Sequence, residues 1–249
     1  MKEQKIHVAE VSTSARSPRF SIEKRGHEIS KQKEDNLLKL CTNLTLTQAE
    51  LLMGSLLGDG NLQTASKTAG TWRARFIQGE RQKAYLFYKY ETLKNFVGTE
   101  PRRSPNFDRR TNREYPRYSF NTKTFSEVKP LAEMFYTWNE ETRRFNKKLP
   151  KNIGDFLTPG VIAIWLMDDG SAKWIGHSNS IRFSTDCFSQ EEIGYLQKGL
   201  KDYGIDTTLQ QKRKNQWTLA TSESSANILK VLLSDKIHPD FYYKVPWMV

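Results

Sequence analysis

Residues 165–172 read WLMDDGSA, an apolar run that ends in two carboxylates, Asp168 and Asp169, just before Gly170. Ionised carboxylates are costly to take out of water, so such a run does not end in an adjacent pair without a reason. The run opens as LTPGVIAIWLMDDG, with Thr158 placed as an N-cap and Pro159 at the first helical position. An earlier run, LTQAELLMGSLLGDG, has the same form. There Thr47, with Glu50 three residues on, has capping-box spacing. Each run predicts a helix that ends in an acid followed by glycine, Asp59 in the first and Asp169 in the second. Either end alone reads as turn chemistry with glycine in the left-handed cap. Their recurrence calls for a search for an internal repeat.

Placing Asp59 on Asp169 gives an offset of 110 residues. A strand ending in Arg75-Phe76 then falls on Arg182-Phe183, and Leu93 of QKAYLFYKYETLKNFVG (82–98) falls on Leu200 of SQEEIGYLQKGLKDYG (189–204), both at an offset of 107. The alternating segments RYSFNT (117–122) and QWTLAT (216–221) set Tyr118 on Trp217. A third predicted helix pair is KTFSEVKPLAEMFYTW (123–138) and SESSANILKVLLSDKI (222–237). Each copy closes on Lys-x-Pro, at Lys148-Leu149-Pro150 and Lys244-Val245-Pro246. The order is helix, two strands, helix, two strands, helix, twice over.

The chain has 249 residues and a formal charge of +11. That length admits one large domain or two small ones. The charge is uneven. Lys67 to Lys151 holds 20 Lys+Arg against 9 Asp+Glu, whereas Asn152 to Val249 holds 10 against 11. Such an excess suits a polyanionic partner, and the middle of the chain should grip it hardest. Two cysteines, Cys41 and Cys187, make no disulfide framework and fit a reducing, intracellular setting. No apolar run has bilayer-spanning length, so no membrane partner is expected. The segment STSARSPRFS (12–21) has transit-peptide composition, but Glu3, Glu10, Glu23 and Glu28 run against it. A mitochondrial or chloroplast location, a bacterium and a nucleus all fit. Residues 1–43 are polar and aperiodic and are expected to form a flexible arm, or one that orders on binding.

The nonapeptides LMGSLLGDG (52–60) and IAIWLMDDG (162–170) resemble the two copies of the LAGLIDADG motif. The chain is similar to monomeric, two-motif LAGLIDADG homing endonucleases encoded in group I introns, such as the yeast mitochondrial one. The resemblance runs from about Leu44 to the C-terminus. It implies an α+β fold of two pseudo-symmetric αββαββα halves, packed through paired motif helices. Each half has a saddle-shaped antiparallel sheet that binds DNA. The expected divisions are 44–150 for the first half, 151–157 for a linker and 158–249 for the second half. Gly54 and Gly58 suit a close helix seam, with Ala163 as the small residue of the second helix.

The resemblance also implies the chemistry. Asp59 and Asp169 meet at the ends of parallel helices and hold Mg²⁺ or Mn²⁺, with Ca²⁺ binding without supporting cleavage. Two close carboxylates repel unless a cation lies between them. Gly58 and Asp168 hold the position that supplies a backbone carbonyl to the metal, leaving the Asp168 carboxylate for a structural contact. Lys148 and Lys244 match the active-site lysines, with Lys147 as a rival for Lys148. Gln78 is a candidate for base reading or for the edge of the active site. The reaction implied is hydrolysis of both strands of a long DNA target, leaving 3′ overhangs.

Outward strand residues would read bases in the major groove. In the first half the candidates are Arg73, Arg75, Gln78, Arg81, Lys83, Arg109, Arg113 and Arg117. In the second they are Lys173, Arg182, Ser184, Asp186, Gln210, Lys212, Lys214 and Gln216, with Lys214-Asn215 as a hairpin tip. Phe76, Phe120, Phe183 and Leu219 should point inward. The alternatives are an RNA maturase acting on its own intron RNA and a non-catalytic DNA-binding protein. Two motifs in one chain predict a functional monomer. Reversing the charge at Arg75 (Arg75→Glu) should weaken duplex binding and flatten its salt dependence. Unchanged affinity and slope in a titration across salt concentrations would rule out this docking face.

Overall fold

The computed structural model describes residues 18–248. Its elements in chain order are α1 (Pro18–Leu40), α2 (Leu46–Leu57), β1 (Asn61–Gln63), β2 (Arg73–Gly79), α3 (Lys83–Thr92), β3 (Arg102–Ser104), β4 (Phe107–Asp108), β5 (Arg113–Glu114), β6 (Arg117–Asn121), α4 (Lys129–Phe135), β7 (Tyr136–Asn139) and β8 (Arg144–Lys147). A second series follows: α5 (Pro159–Asp169), β9 (Gly170–Trp174), β10 (Ser178–Ser184), α6 (Gln190–Asp202), β11 (Thr207–Arg213), β12 (Gln216–Thr221) and α7 (Ala226–Leu233). Two antiparallel four-stranded sheets result, ordered β1-β2-β6-β3 and β9-β10-β12-β11. The second order is the first with each strand replaced by its repeat. No helix among the described residues is long and apolar enough to cross a membrane.

The two series meet along α2 and α5. A Cβ added at Gly160 would fall 2.3 Å from the Glu50 carboxyl, one at Gly54 would fall 2.6 Å from Ile164 Cβ, and one at Gly58 would fall 2.5 Å from Asp168 Cβ. Each pair is 110 residues apart, and the pairs follow one another in the same direction, so the helices are parallel and equivalent positions face each other. Glycine at one member of each pair permits that approach. The small residue of α5 in the seam is therefore Gly160, rather than the expected Ala163.

The caps differ in part from expectation. Thr158 caps α5 as predicted, its Oγ1 accepting from Val161 N at 3.1 Å. In α2 the capping box is Thr45 with Gln48, two residues before the expected pair. Glu50 is drawn into the seam instead, accepting from Thr158 Oγ1 at 2.6 Å. Burial there raises its pKa, against the lowering effect of that hydrogen bond.

The flexible-arm expectation fails for the described part of residues 1–43, and the rest lies outside the described residues. α1 is a helix that packs on α2, α7 and a 3-10 turn at Ile153–Phe156. Its apolar residues are sparse, so the pattern is faint, but Leu37 is fully buried. Lys33, only 4% exposed, donates to Asp202 Oδ2 at 2.8 Å and also to Gly154 O. The first half also carries the β7–β8 hairpin, which the pattern does not predict, and the β4–β5 hairpin within 107–120, where a strand pair and its turn are expected but the sheet instead pairs β3 with β6. β7 takes up Tyr136–Asn139, where the predicted third helix was to continue. Phe76, Phe120, Phe183 and Leu219 are buried as expected.

Gly54→Ala forces a methyl onto Ile164 in a seam with no free volume. It should lower unfolding free energy by about 1–3 kcal/mol, read from the denaturant midpoint at unchanged slope. Gly70, with nothing within 4 Å of an added Cβ, is the control.

Candidate active site and nucleic-acid face

Parallel pairing brings the C-terminal ends of α2 and α5 together. Asp59 follows α2, Asp169 closes α5, and both reach solvent. Burial raises the pKa of Asp59, and the Asp168 charge raises it further. Burial pushes Asp169 up to about 6, with Asp59 and Asp168 adding to the effect. These carboxylates thus stand in a field of like charge that a cation would relieve.

Asp168 is turned the other way. Its side chain is fully buried, and both oxygens accept from Lys89 Nζ, at 2.7 and 2.8 Å. Its carboxylate is therefore not available to a metal in the groove, as expected. Its backbone carbonyl lies on the site side, accepting from Lys244 Nζ at 3.2 Å beside Met167 O at 2.6 Å.

Lys244 is thus where the repeat placed it. In the first half the side chain at the site is Lys147, not Lys148. Lys147 Nζ lies 3.5 Å from Gly58 O and 3.4 Å from Gly60 O, while Lys148 is exposed. Strand alternation is the reason: Phe145 and Lys147 share one face of β8, opposed to Trp138 and Tyr136, so the next residue points away. In the second half the lysine arrives on a 3-10 turn (Pro239–Lys244), where the Lys-x-Pro frame differs by one residue. Burial lowers the pKa of both lysines.

On the first sheet, Arg73, Arg75 and Arg117 lie on the outward face, away from Phe76 and Phe120. Asn61, Gln63, Arg102, Ser119 and Asn121 share that face by register and were missed; continuing the alternation of RYSFNT would have found Ser119 and Asn121. Gln78 is a correction. It is 9% exposed and shares the inward face with Trp72, Ala74 and Phe76, so it is turned away from the face that would read bases. Lys83 also departs from expectation: at the start of α3 it sits over the rings of Phe87 and Tyr118, on the helix side of the sheet. Arg81 is exposed in the 3-10 turn before α3, and Arg109 and Arg113 belong to the β4–β5 excursion rather than the sheet.

On the second sheet, Arg182, Ser184, Gln210 and Lys212 line one groove with Ser171 and Thr218. Lys173 and Gln216 share that face by register. Asp186 acts as a counterion, its Oδ2 3.1 Å from Lys212 Nζ. Lys214 is exposed at the turn, where Asn215 takes φ 60°.

Two pseudo-symmetric halves, each with a polar sheet face, joined through paired helices with an acid at each end, define a two-motif nuclease architecture. The model of the LAGLIDADG DNA endonuclease family matches residues 49–229, and the chain belongs to that family. It is 40% identical over 210 residues to DNA endonuclease I-ChuI of Chlamydomonas applanata, covering 82% of this chain and 96% of that protein. It is 30% identical to the cytochrome b mRNA maturase bI2 of Saccharomyces cerevisiae over 81% of this chain, spanning about half (48%) of that protein. The structure of the homing endonuclease I-WcaI bound to its DNA recognition sequence superposes with a TM-score of 0.72 at 19% identity, covering 94% of this chain and 95% of that one, a likeness of fold.

A carboxylate whose pKa is higher folded than unfolded weakens folding as it ionises, so stability without metal falls as pH rises from about 4 through about 6. Asp169→Asn removes that cost. Discounted for partial solvent screening, it should raise metal-free stability near pH 7 by about 1–2 kcal/mol, and by little at pH 4. Thermal melts of both proteins at the two pH values, with a chelator present, check this.

Proposed function

We propose that this protein is a monomeric homing endonuclease that hydrolyses both strands of a long duplex target, using a divalent metal and leaving 3′ overhangs. The observation that carries the reading is the pairing of two solvent-reaching carboxylates, one per half, at the joined ends of α2 and α5. One chain supplies both, so no second copy is needed.

The donor set fits a hard divalent ion. Asp59 and Asp169 offer carboxylate oxygens beside the carbonyls of Gly58 and Asp168, and among the described residues no group of three or more His, Cys, Asp or Glu could hold a metal alone. Mg²⁺ is commonly held by one or two carboxylates, with phosphate oxygens and waters completing its shell. When bound, such an ion lowers the pKa of a water and offsets charge on the phosphate. The chain's own groups do the rest. Lys147 and Lys244 bring positive charge to the two sides of the carboxylate pair, where it stabilises the pentavalent phosphate. Arg73, Arg75 and Arg117 on one sheet, and Arg182, Gln210 and Gln216 on the other, hold the duplex in register.

Cleavage of a randomised duplex library in Mg²⁺, with Ca²⁺ in parallel, tests the reading. Defined double-strand breaks at one long site, in Mg²⁺ only, are expected. No cutting, with tight binding to an intron RNA, would replace it with a maturase. On the recovered site, Lys147→Met should slow cleavage on the order of 10²-fold, and Lys148→Met by less than about threefold.

A further inference from the structure

The catalytic ends of α2 and α5 rest on a buried polar cluster found on one side only. Lys89 of α3, 1% exposed, directs its Nζ to both oxygens of Asp168 and lies 3.1 Å from Ser55 Oγ of α2. The rings of Tyr85 and Phe76 flank the ammonium at 4.6 and 5.4 Å. The repeat identifies the matching positions in the other half. Lys89 falls on Leu196, Asp168 on Gly58 and Ser55 on Trp165. Leu196 is fully buried, and Trp165 stacks on Phe183 at 3.9 Å. The three matching positions therefore pack without charge, so the fold does not need an ion pair there.

We infer that Lys89 is a positioning residue for the catalytic carboxylates, acting through Asp168. Asp168 leaves α5 over Gly58 and crosses the seam into the first half, where Lys89 grips it. The next residue is Asp169. The pair pins the last turn of the second motif helix to the first half and so fixes where Asp169 stands relative to Asp59. A buried ion pair is weak as a source of stability, because desolvation offsets its attraction. Its directional geometry makes it a good register pin, and a small displacement of a reacting group costs rate steeply.

The test replaces the pair with the residues of the matching site, as Lys89→Leu/Asp168→Gly, beside Lys89→Leu alone. The single variant leaves a buried carboxylate unpaired and should melt well below wild type. The double variant should regain most of the melting temperature. Its amides over residues 166–170 should still exchange about tenfold faster than wild type, and the ratio of its two strand-cleavage rates should shift about tenfold. Wild-type exchange, with both strands cut at wild-type rates, would overturn the inference. Asp168→Asn, of nearly equal volume, covers a double variant that fails to fold: faster exchange at 166–170 supports the pin, and wild-type exchange there refutes it. The inference uses the endonuclease reading only for its cleavage arm. If the wild type cuts no DNA, that reading falls, and the exchange comparison still decides the pin.

Discussion

Where α2 meets α5, residues 110 positions apart face each other in pairs, Glu50 with Gly160, Gly54 with Ile164 and Gly58 with Asp168. In every pair one member is glycine and the other is larger. A homodimer built on the same axis could not do this, because an isologous contact sets each residue against its own copy. It would need a residue small enough to face itself at each level. Two divergent copies in one chain escape that limit. One helix yields space and the other fills it, and the yielding helix changes along the seam, with α5 small at the first level and α2 at the next two.

The site inherits its character from this contact. Helices in such close approach bring two acids to one place, and burial raises their pKa values, with Asp168 adding to both and Asp59 to that of Asp169. Burial lowers Lys147 and Lys244, against the raising effect of the same acids. A group that holds a cation must be charged yet not already neutralised by the protein. Lys244 and Lys147 lie against helix-end carbonyls, while Lys89, in direct contact with Asp168, holds that acid turned away from the groove. The arrangement leaves Asp59 and Asp169 free for a metal and removes Asp168 from competition.

The fold was legible because the chain states it twice. Strand pairs, helix pairs and the two acids each had a partner in the same order, at an offset that shortens from 110 to 96 along the chain, and matching them fixed the order of elements. What was misread lies where the copies differ or where the local rule has two solutions. α1 has no counterpart, and it buries Lys33 by hydrogen bonding rather than through an apolar stripe. The β7–β8 hairpin has none either, and its alternation brings Lys147 to the helix-end carbonyls in place of the expected Lys148. Gln78 was suggested by side-chain chemistry, although the alternation of Trp72, Ala74 and Phe76 already placed it inward. Lys89 gave no signal of its own, since a lysine on an amphipathic helix reads as exposed. Only its pairing with Leu196 across the repeat marks it as a buried position.

The two halves also carry their charge unequally. Residues 67–151 hold nearly all the excess charge, and 152–249 are close to neutral. The first half adds the β4–β5 excursion, with Arg109, Arg110 and Arg113 beyond its sheet. The groove of the second sheet instead mixes Ser171, Ser184, Gln210, Gln211 and Thr218 with Arg182 and Lys212, and Asp186 neutralises Lys212. Contacts to phosphate supply affinity that salt erodes, whereas amide and hydroxyl groups at base edges supply discrimination that salt leaves largely intact. Since one backbone scaffold underlies both halves, the difference lies in the side chains on equivalent outward positions and in the added hairpins.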